Sequence, residues 1–315
     1  MSEEIELKFE IDSSSIKPLS TFLQNQRIIE QRSLHLANSY YDSLDNILRR
    51  HHTSIRIRSI EENTKKHEYE ITLKSSMNEK SITGLHSRLE FNASLPNNKL
   101  NLSALPKAAF PIGLDRDSLE KQLSALFTTD FQRETWVVHF NQSQIEVALD
   151  QGIISTGALN LPILEVELEL KLGAKVDLLL FAHKLSQFHI HLFSQSKAAR
   201  GYRLVQGCDV AKIPQLDISN LTTSSILPAI LEFWQTNEEY ALAHNDLSFY
   251  LQTLQQVIDN LVPILPSPEN EYSTELNQVY RNWLSHTKSI TNIKHFAFSP
   301  INGQFKLYLM LLVLW

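Results

Sequence analysis

From Glu4 to Ile11 the chain alternates without interruption between charged and apolar residues: Glu, Ile, Glu, Leu, Lys, Phe, Glu, Ile. Side chains at i, i+2 and i+4 of a β-strand share one face, so this segment has one fully charged face and one fully apolar face. The same period returns in Ile55-Arg56-Ile57-Arg58, where two arginines are backed by isoleucines. Glu70, Thr72 and Lys74 share a face, as do Arg88 and Glu90, and Glu165-Val-Glu167-Leu-Glu169-Leu-Lys171 sets three carboxylates in a row. The period predicts strands over 4–11, 54–59, 67–74, 87–95, 131–140, 144–150 and 163–171. Few long helices interrupt them, which favours a largely antiparallel sheet or barrel over βαβ winding. Helices are expected from the serine-rich cap at 13–15 to about 26, over 175–188 and, shorter, over 118–126.

Solvent would account for the charged face of any one strand. Taken together, however, the Glu runs and the Arg/Lys runs fall on separate strands. Same-face carboxylates at i and i+2 lie about 7 Å apart and repel one another unless cations intervene. A barrel closed with these faces inward would set an acidic wall against a basic one. Carboxylate oxygens suit Mg²⁺ or Mn²⁺, while Arg and Lys suit phosphate oxygens. Glycine usage agrees. The 315 residues include 8 glycines, with no G-x-G-x-x-G, and the G-x-x-x-x-G from Gly152 to Gly157 continues as Ala158-Leu159. A glycine loop that cradles phosphate is therefore excluded, and side chains must hold any phosphate.

With these strands in view, Glu4-Ile-Glu6-Leu-Lys8 resembles the E-x-E-x-K signature of the CYTH superfamily, the triphosphate tunnel metalloenzymes. Further segments match in order: Tyr40-Tyr-Asp42 with Leu48, Ile55–Arg58, Thr72-Leu-Lys74, Arg88–Phe91, Arg133–Trp136, Ala148–Gly152, the Glu165–Glu169 ladder and Ser196–Tyr202. Within the superfamily the chain is most similar to proteobacterial inorganic triphosphatases in which a CYTH domain precedes a helical CHAD domain. The resemblance implies an α+β fold, an eight-stranded antiparallel β tunnel with flanking helices over 1–210, followed by a small all-α domain over 220–315. It also implies Mg²⁺- or Mn²⁺-dependent hydrolysis of inorganic triphosphate to pyrophosphate and orthophosphate, with longer polyphosphate as a further ligand. By position, Glu4, Glu6, Glu165, Glu167 and Glu169 resemble metal ligands. Arg56, Arg58, Lys74, Arg133, Lys197 and Arg200 resemble phosphate-binding residues. Lys8 would face both substrate and attacking water, so Lys8, Glu4 and Glu6 form the catalytic set. Arg88, Glu90 and Asp150 would support the inner wall. An organic triphosphate such as ATP or thiamine triphosphate, hydrolysed or cyclised, fits the same walls, as does a polyphosphate-binding module without turnover.

The net charge of −6, from 29 Lys+Arg against 35 Asp+Glu, arises mostly after residue 212, where a Pro/Ser/Thr stretch marks a seam. Residues 222–262 predict a long helix or helical pair ended by Pro263, Pro266 and Pro268, followed by a helix over 272–286 and an apolar core element over 305–315. That last run is too short for a membrane span of about 20 residues. The helical part begins like a CHAD domain but is acidic, holds only His244 within 223–262, and ends at about half the usual domain length. It is expected to be a truncated appendage packed on the tunnel. A single cysteine, Cys208, and a start without a secretory pattern favour a cytoplasmic protein. His189 and His191 are read as core or surface histidines, and His51-His52 as loop residues. Arg49-Arg50 make no nucleic-acid patch against the overall acidity, and no Ser/His/Asp signature occurs.

Overall fold

The computed structural model describes residues 2–62, 67–76, 84–265 and 273–314. Its strands are β1 (Ser2–Ile11), β2 (Ile28–Asp42), β3 (Thr53–Glu61), β4 (Glu68–Ser76), β5 (Leu85–Leu95), β6 (Ser124–Phe140), β7 (Ser143–Thr156), β8 (Leu159–Leu172) and the short β9 (Ile190–Leu192). The helices are α1 (Ile16–Gln24), α2 (Ile47–Arg50), α3 (Arg116–Glu120), α4 (Lys175–Leu185), α5 (Lys197–Gln206), α6 (Thr223–His244), α7 (Leu247–Leu261), α8 (Ser273–Thr287), α9 (Ile293–Ala297) and α10 (Pro300–Leu314). Around the sheet the order is β5-β4-β3-β2-β6-β7-β8-β1, and β1 returns to β5, so eight antiparallel strands close into a barrel. One edge of β1 is divided: Ser2–Leu7 pair with β5, and Phe9–Ile11 pair with β9.

The barrel is polar inside and apolar outside. Leu7, Phe9 and Ile11 of β1 face outward, joining Trp136, Val147 and Leu168 under α1 and α4, and the same apolar cluster runs on into Trp234, Tyr250, Trp283 and Phe305 of the C-terminal helices. Ile55, Ile57, Ile71 and Leu73 are covered instead by Leu102, Leu105, Phe110 and Leu119 of the long β5–β6 connection. With every apolar stripe satisfied outside, the charged faces turn inward. α5 closes one end of the barrel, its Tyr202 packing on Phe127, Phe131 and Tyr40. Gly201 makes that approach possible, because a Cβ there would run into the Phe127 ring.

All seven expected strands form. Two further strands form: β2 and the short β9. The expected helix over 118–126 is confined to Arg116–Glu120, capped by the Asp115 carboxylate on the Ser118 amide, and Ser124–Leu126 already belong to β6. The 222–262 region is a helical pair, and the apolar C-terminal run is helix α10. Pro266, Pro268, Tyr272 and Trp315 lie outside the described residues. No helix among the described residues is long and apolar enough to cross a membrane.

Candidate active site

Strand register arranges the inner side chains in rows. Glu6 of β1 lies opposite Glu169 of β8, which lies opposite Glu146 of β7. One step toward α5, Lys8 lies opposite Glu167, and one step further Glu10 lies opposite Glu165 and Asp150 opposite Glu165. On the other side, Tyr40 of β2, Arg56 of β3, Thr72 of β4 and Asn92 of β5 form one row. Lys74 faces Glu90 in the next, and Arg133 of β6 faces Asp150. Thus β7, β8 and β1 make an acidic wall, while β3, β4 and β6 make a basic one. They enclose a cavity of about 320 Å³ lined on one side by Glu4, Glu6, Glu146, Glu167 and Glu169 and on the other by Arg56, Arg58, Lys74, Arg88 and Arg133.

Inside the acidic wall, charge is compensated unevenly. Glu167 meets three cations: Lys8, Arg133 at 2.6 Å and Lys197 at 3.1 Å. Burial alone would raise its carboxyl, but Lys197, Lys8 and Arg133 hold it well below the usual carboxylate range. Burial likewise opposes the charge on Lys8, yet Glu167 and Glu6 keep its ammonium above the usual lysine value. Asp150, Glu165 and Glu167 stand close enough to share one ion. What they share is the Lys197 ammonium, 2.6 Å from Asp150 and hydrogen-bonded to Glu165. Asp150 also takes both arms of Arg133, at 2.7 and 2.6 Å, and Glu165 takes Arg200. Glu165, Asp150 and Arg200 are therefore outside the cavity lining, where they seat Lys197 at the closed end.

The row Glu146–Glu169–Glu6 is different. Like charges placed directly opposite each other destabilise a sheet, and here Lys171, 2.8 Å from Glu169 and 3.5 Å from Glu146, supplies the nearest cation. Burial, with Glu4 and Glu146 adding to it, raises the Glu169 carboxyl despite Lys171. Glu6 is 3% exposed, and its Oε1 has no hydrogen-bond partner. Burial opposes its ionisation, but Lys8 above all brings it down to about 2, so it stays a carboxylate. An orphaned carboxylate oxygen in a row of three acids fits a hard divalent cation with oxygen ligands. Glu4, nearby on β1, is hydrogen-bonded by Lys74 at 2.6 and 2.8 Å.

The basic wall carries the opposite excess. Arg58 donates to Asn38 at 2.8 Å, and burial together with Arg56 and Arg133 brings its guanidinium down to about 9. The buried Nε of Arg56 has no partner. Lys74 is 3.2 Å from Glu90, whose carboxyl, despite burial, is held at about 2 by Lys74 and Arg56. Arg88 lies 3.9 Å from Glu6 and 3.4 Å from His86, whose buried imidazole burial and Arg88 bring down to about 3. Clustered cations short of acceptors form an anion site.

The structure thus gathers Glu4, Glu6, Lys8, Arg56, Arg58, Lys74, Arg88, Glu90, Arg133, Glu167, Glu169 and Lys197 around one cavity. It adds Tyr40, Ser54, Glu70, Thr72, Asn92, Glu146 and Lys171 to the lining. Period two could have found Glu146, four residues before Asp150, and Asn92, two after Glu90; Tyr40 was hidden because β2 was not read as a strand. His189 sits in a left-handed turn (φ 48°) before β9, while His191 lies within β9 and is buried.

The family model described as CYTH domain matches residues 2–202. An inorganic triphosphatase of Haemophilus influenzae is 38% identical over 205 residues, which are 65% of this chain and 55% of that protein. The chain thus spans about half the length of this curated relative. Among solved structures, a Hippeastrum protein described by a dominant triphosphatase activity aligns at 19% identity and a TM-score of 0.45, covering 67% of this chain and 98% of that one. A Pyrococcus horikoshii protein aligns at 16% identity and 0.40, covering 62% and 97%.

Proposed function

Because the chain belongs to the CYTH domain family, we propose that its tunnel hydrolyses inorganic triphosphate to pyrophosphate and orthophosphate. One observation carries this reading: the basic pair Arg56 and Arg58, with Arg56 Nε left unbonded, and the acid row Glu146–Glu169–Glu6, with Glu6 Oε1 left unbonded, line the same 320 Å³ cavity. An anion on the basic wall and a divalent cation on the acidic wall would each relieve a like-charge cluster. The Haemophilus influenzae relative is named as an inorganic triphosphatase, which supports the choice of substrate. So does the lining, which among the described residues offers apolar surface only from Ala148, Ala198 and the ring of Tyr40. A nucleobase or thiazolium has little apolar surface to rest on there.

Mg²⁺ or Mn²⁺ held by Glu6 and Glu169, with Glu4 and Glu146 beside them, would neutralise phosphate charge. The protein's own groups do the rest. Arg56, Arg58, Lys74 and Arg133 bind and align the phosphate chain, placing a terminal phosphorus for in-line attack by water. Lys8, fixed between Glu6 and Glu167, offers its ammonium to the attacking water or the developing charge. A P–O bond forms from water and the bridging P–O bond breaks with its electron pair going to the departing pyrophosphate, so that the water's protons end on the two phosphate products. Lys197 meets the substrate at the closed end, while Glu165 and Asp150 seat it.

The test measures phosphate release from triphosphate, ATP and thiamine triphosphate, each with Mg²⁺, Mn²⁺ or EDTA. Metal-dependent release from triphosphate, exceeding that from the organic substrates, is expected. Release from ATP or thiamine triphosphate instead would move the reading to an organic substrate. No release from any would leave a binding module.

A further inference from the structure

A second set of buried ionised groups lies outside the tunnel, where α6 crosses β9 and the segment leading into α5. Glu238 is fully buried and collects Lys306, His191 at 2.8 Å, Trp234 at 3.2 Å and Asn302 at 3.1 Å. Glu239, one residue on, reaches the other way: it accepts from the Ser194 amide at 2.7 Å and from Gln195 Nε2 at 2.9 Å. Gln235, one turn earlier, donates to the Leu192 carbonyl and to Glu239 at 2.9 Å. Gln195 in turn accepts from Arg203 of α5. Ser196 then caps α5, accepting from the Ala199 amide at 3.1 Å, and Lys197 is its first residue.

Replacing a buried ion set with well-packed apolar side chains is often neutral or stabilising, so stability alone is a weak reason for it. Hydrogen bonds from one helix to the Leu192 carbonyl at the end of β9, to the Ser194 amide and to the Gln195 side chain instead fix where the 193–196 segment runs. Ser194 and Lys197 are three residues apart, at most about 11 Å of chain. The course of 193–196 therefore bears on where Lys197 sits, together with its own ion pairs, and a misplacement of about 1 Å at a reacting site can cost about 100-fold in rate.

We propose that Glu239 is a positioning residue: through Ser194 and Gln195, α6 holds the 193–196 segment and with it the Lys197 ammonium at the closed end of the tunnel. The C-terminal helices are then a brace for the site. The proposal rests on the triphosphate reading only for its kinetic consequence.

The test uses the full chain as Glu239→Ala, Glu239→Gln and Gln195→Ala. Backbone amide exchange is followed at 193–206, with β6 and β7 as internal reference, together with kcat and KM for triphosphate and Mn²⁺ affinity by electron paramagnetic resonance. For Glu239→Ala we expect exchange at 193–206 to rise at least tenfold, with β6 and β7 unchanged. KM should rise about tenfold or more while Mn²⁺ affinity holds, and Glu239→Gln, which keeps an oxygen for the Ser194 amide, should recover most of the loss. Native exchange at 193–206 in a folded Glu239→Ala protein, or a KM left unchanged, would overturn the proposal. Should Glu239→Ala fail to fold, Gln195→Ala decides by the same exchange criterion. Absence of turnover in the unmutated protein would sink the triphosphate reading and leave the exchange result to judge the brace.

Discussion

Raising the pH from 6.5 to 9 should destabilise this protein, above all through the buried His191. Its ring is 1% exposed, with Nε2 2.8 Å from Glu238 Oε1 and Nδ1 3.5 Å from Glu10 Oε2. Burial opposes the charged ring, as does Lys306, but Glu10 and Glu238 outweigh both and lift it from the ordinary 6.5 to about 9. A group whose folded value exceeds its unfolded one contributes stability that is fully present below the unfolded value and lost as pH climbs through the folded value. At 1.36 kcal/mol per pK step, the contribution is about 3 kcal/mol. For a domain of this size that is roughly 6–12 °C in Tm. Urea unfolding at pH 6, 7, 8 and 9 measures it directly. The His191→Gln protein should be less stable than the unmutated one at pH 6, and the gap should narrow toward pH 9. Parallel pH profiles for the two proteins would refute the assignment of a buried imidazolium between two carboxylates.

Four further outcomes are expected. Asp150→Ala leaves Arg133 and Lys197 buried with less counter-charge, costing about 3 kcal/mol; a urea-derived loss under about 1 kcal/mol would contradict the pairing. Gly201→Ala forces α5 off the Phe127 ring and should cost about 1–3 kcal/mol, read as a lowered Tm, whereas an unchanged Tm would show that the helix can yield freely. Glu167→Gln removes the charge that holds Lys8, Arg133 and Lys197 together and should abolish metal-dependent turnover; retained turnover in the folded variant would remove Glu167 from the machinery. Arg56→Ala takes a guanidinium from the basic wall and should raise KM for triphosphate about tenfold or more, and an unchanged KM would place it off the phosphate path.

The strands that bear the charges were legible because the interior of this barrel is polar and its exterior apolar, so both faces of each strand carry a strong signal. β1, β3 and β8 announce themselves for that reason. β2 does not: its first half is largely exposed on both faces, and its later inward residues include Asn38 and Tyr40, so no apolar alternation arises. Leu123-Ser124-Ala125-Leu126 is too short a segment to separate helix from strand, and from Ser124 on it belongs to β6. Spacing alone put Glu4, Glu6, Lys8, Arg56, Arg58, Lys74, Arg88, Glu90, Glu167 and Glu169 on shared charged faces, whereas Arg133 and Lys197 came only with the family resemblance. The pairing was not legible. Nothing in the sequence says that Lys197 would sit among Asp150, Glu165 and Glu167, or that Glu6 would keep a bare oxygen, because these depend on strand register across the barrel. The brace from α6 to Ser194 was equally invisible, being a bond from a helix to an irregular backbone.

The divided edge of β1 also bears on how the chain assembles. Lys8 and its partner Glu167 are 159 residues apart, while β1 must pair with both β5 and β8 before the barrel exists. At about 5–20 residues per second, a ribosome takes roughly 10–30 s to deliver β8 after β1. During that interval β1 waits for β8 with an open edge and one greasy face. Its charged face is then a safeguard of another kind: Glu4, Glu6, Lys8 and Glu10 keep the waiting strand hydrated and discourage it from pairing with a neighbouring nascent chain. Charged residues of this kind act as gatekeepers in unpaired strands, and two of them, Glu4 and Glu6, end on the tunnel's acidic wall.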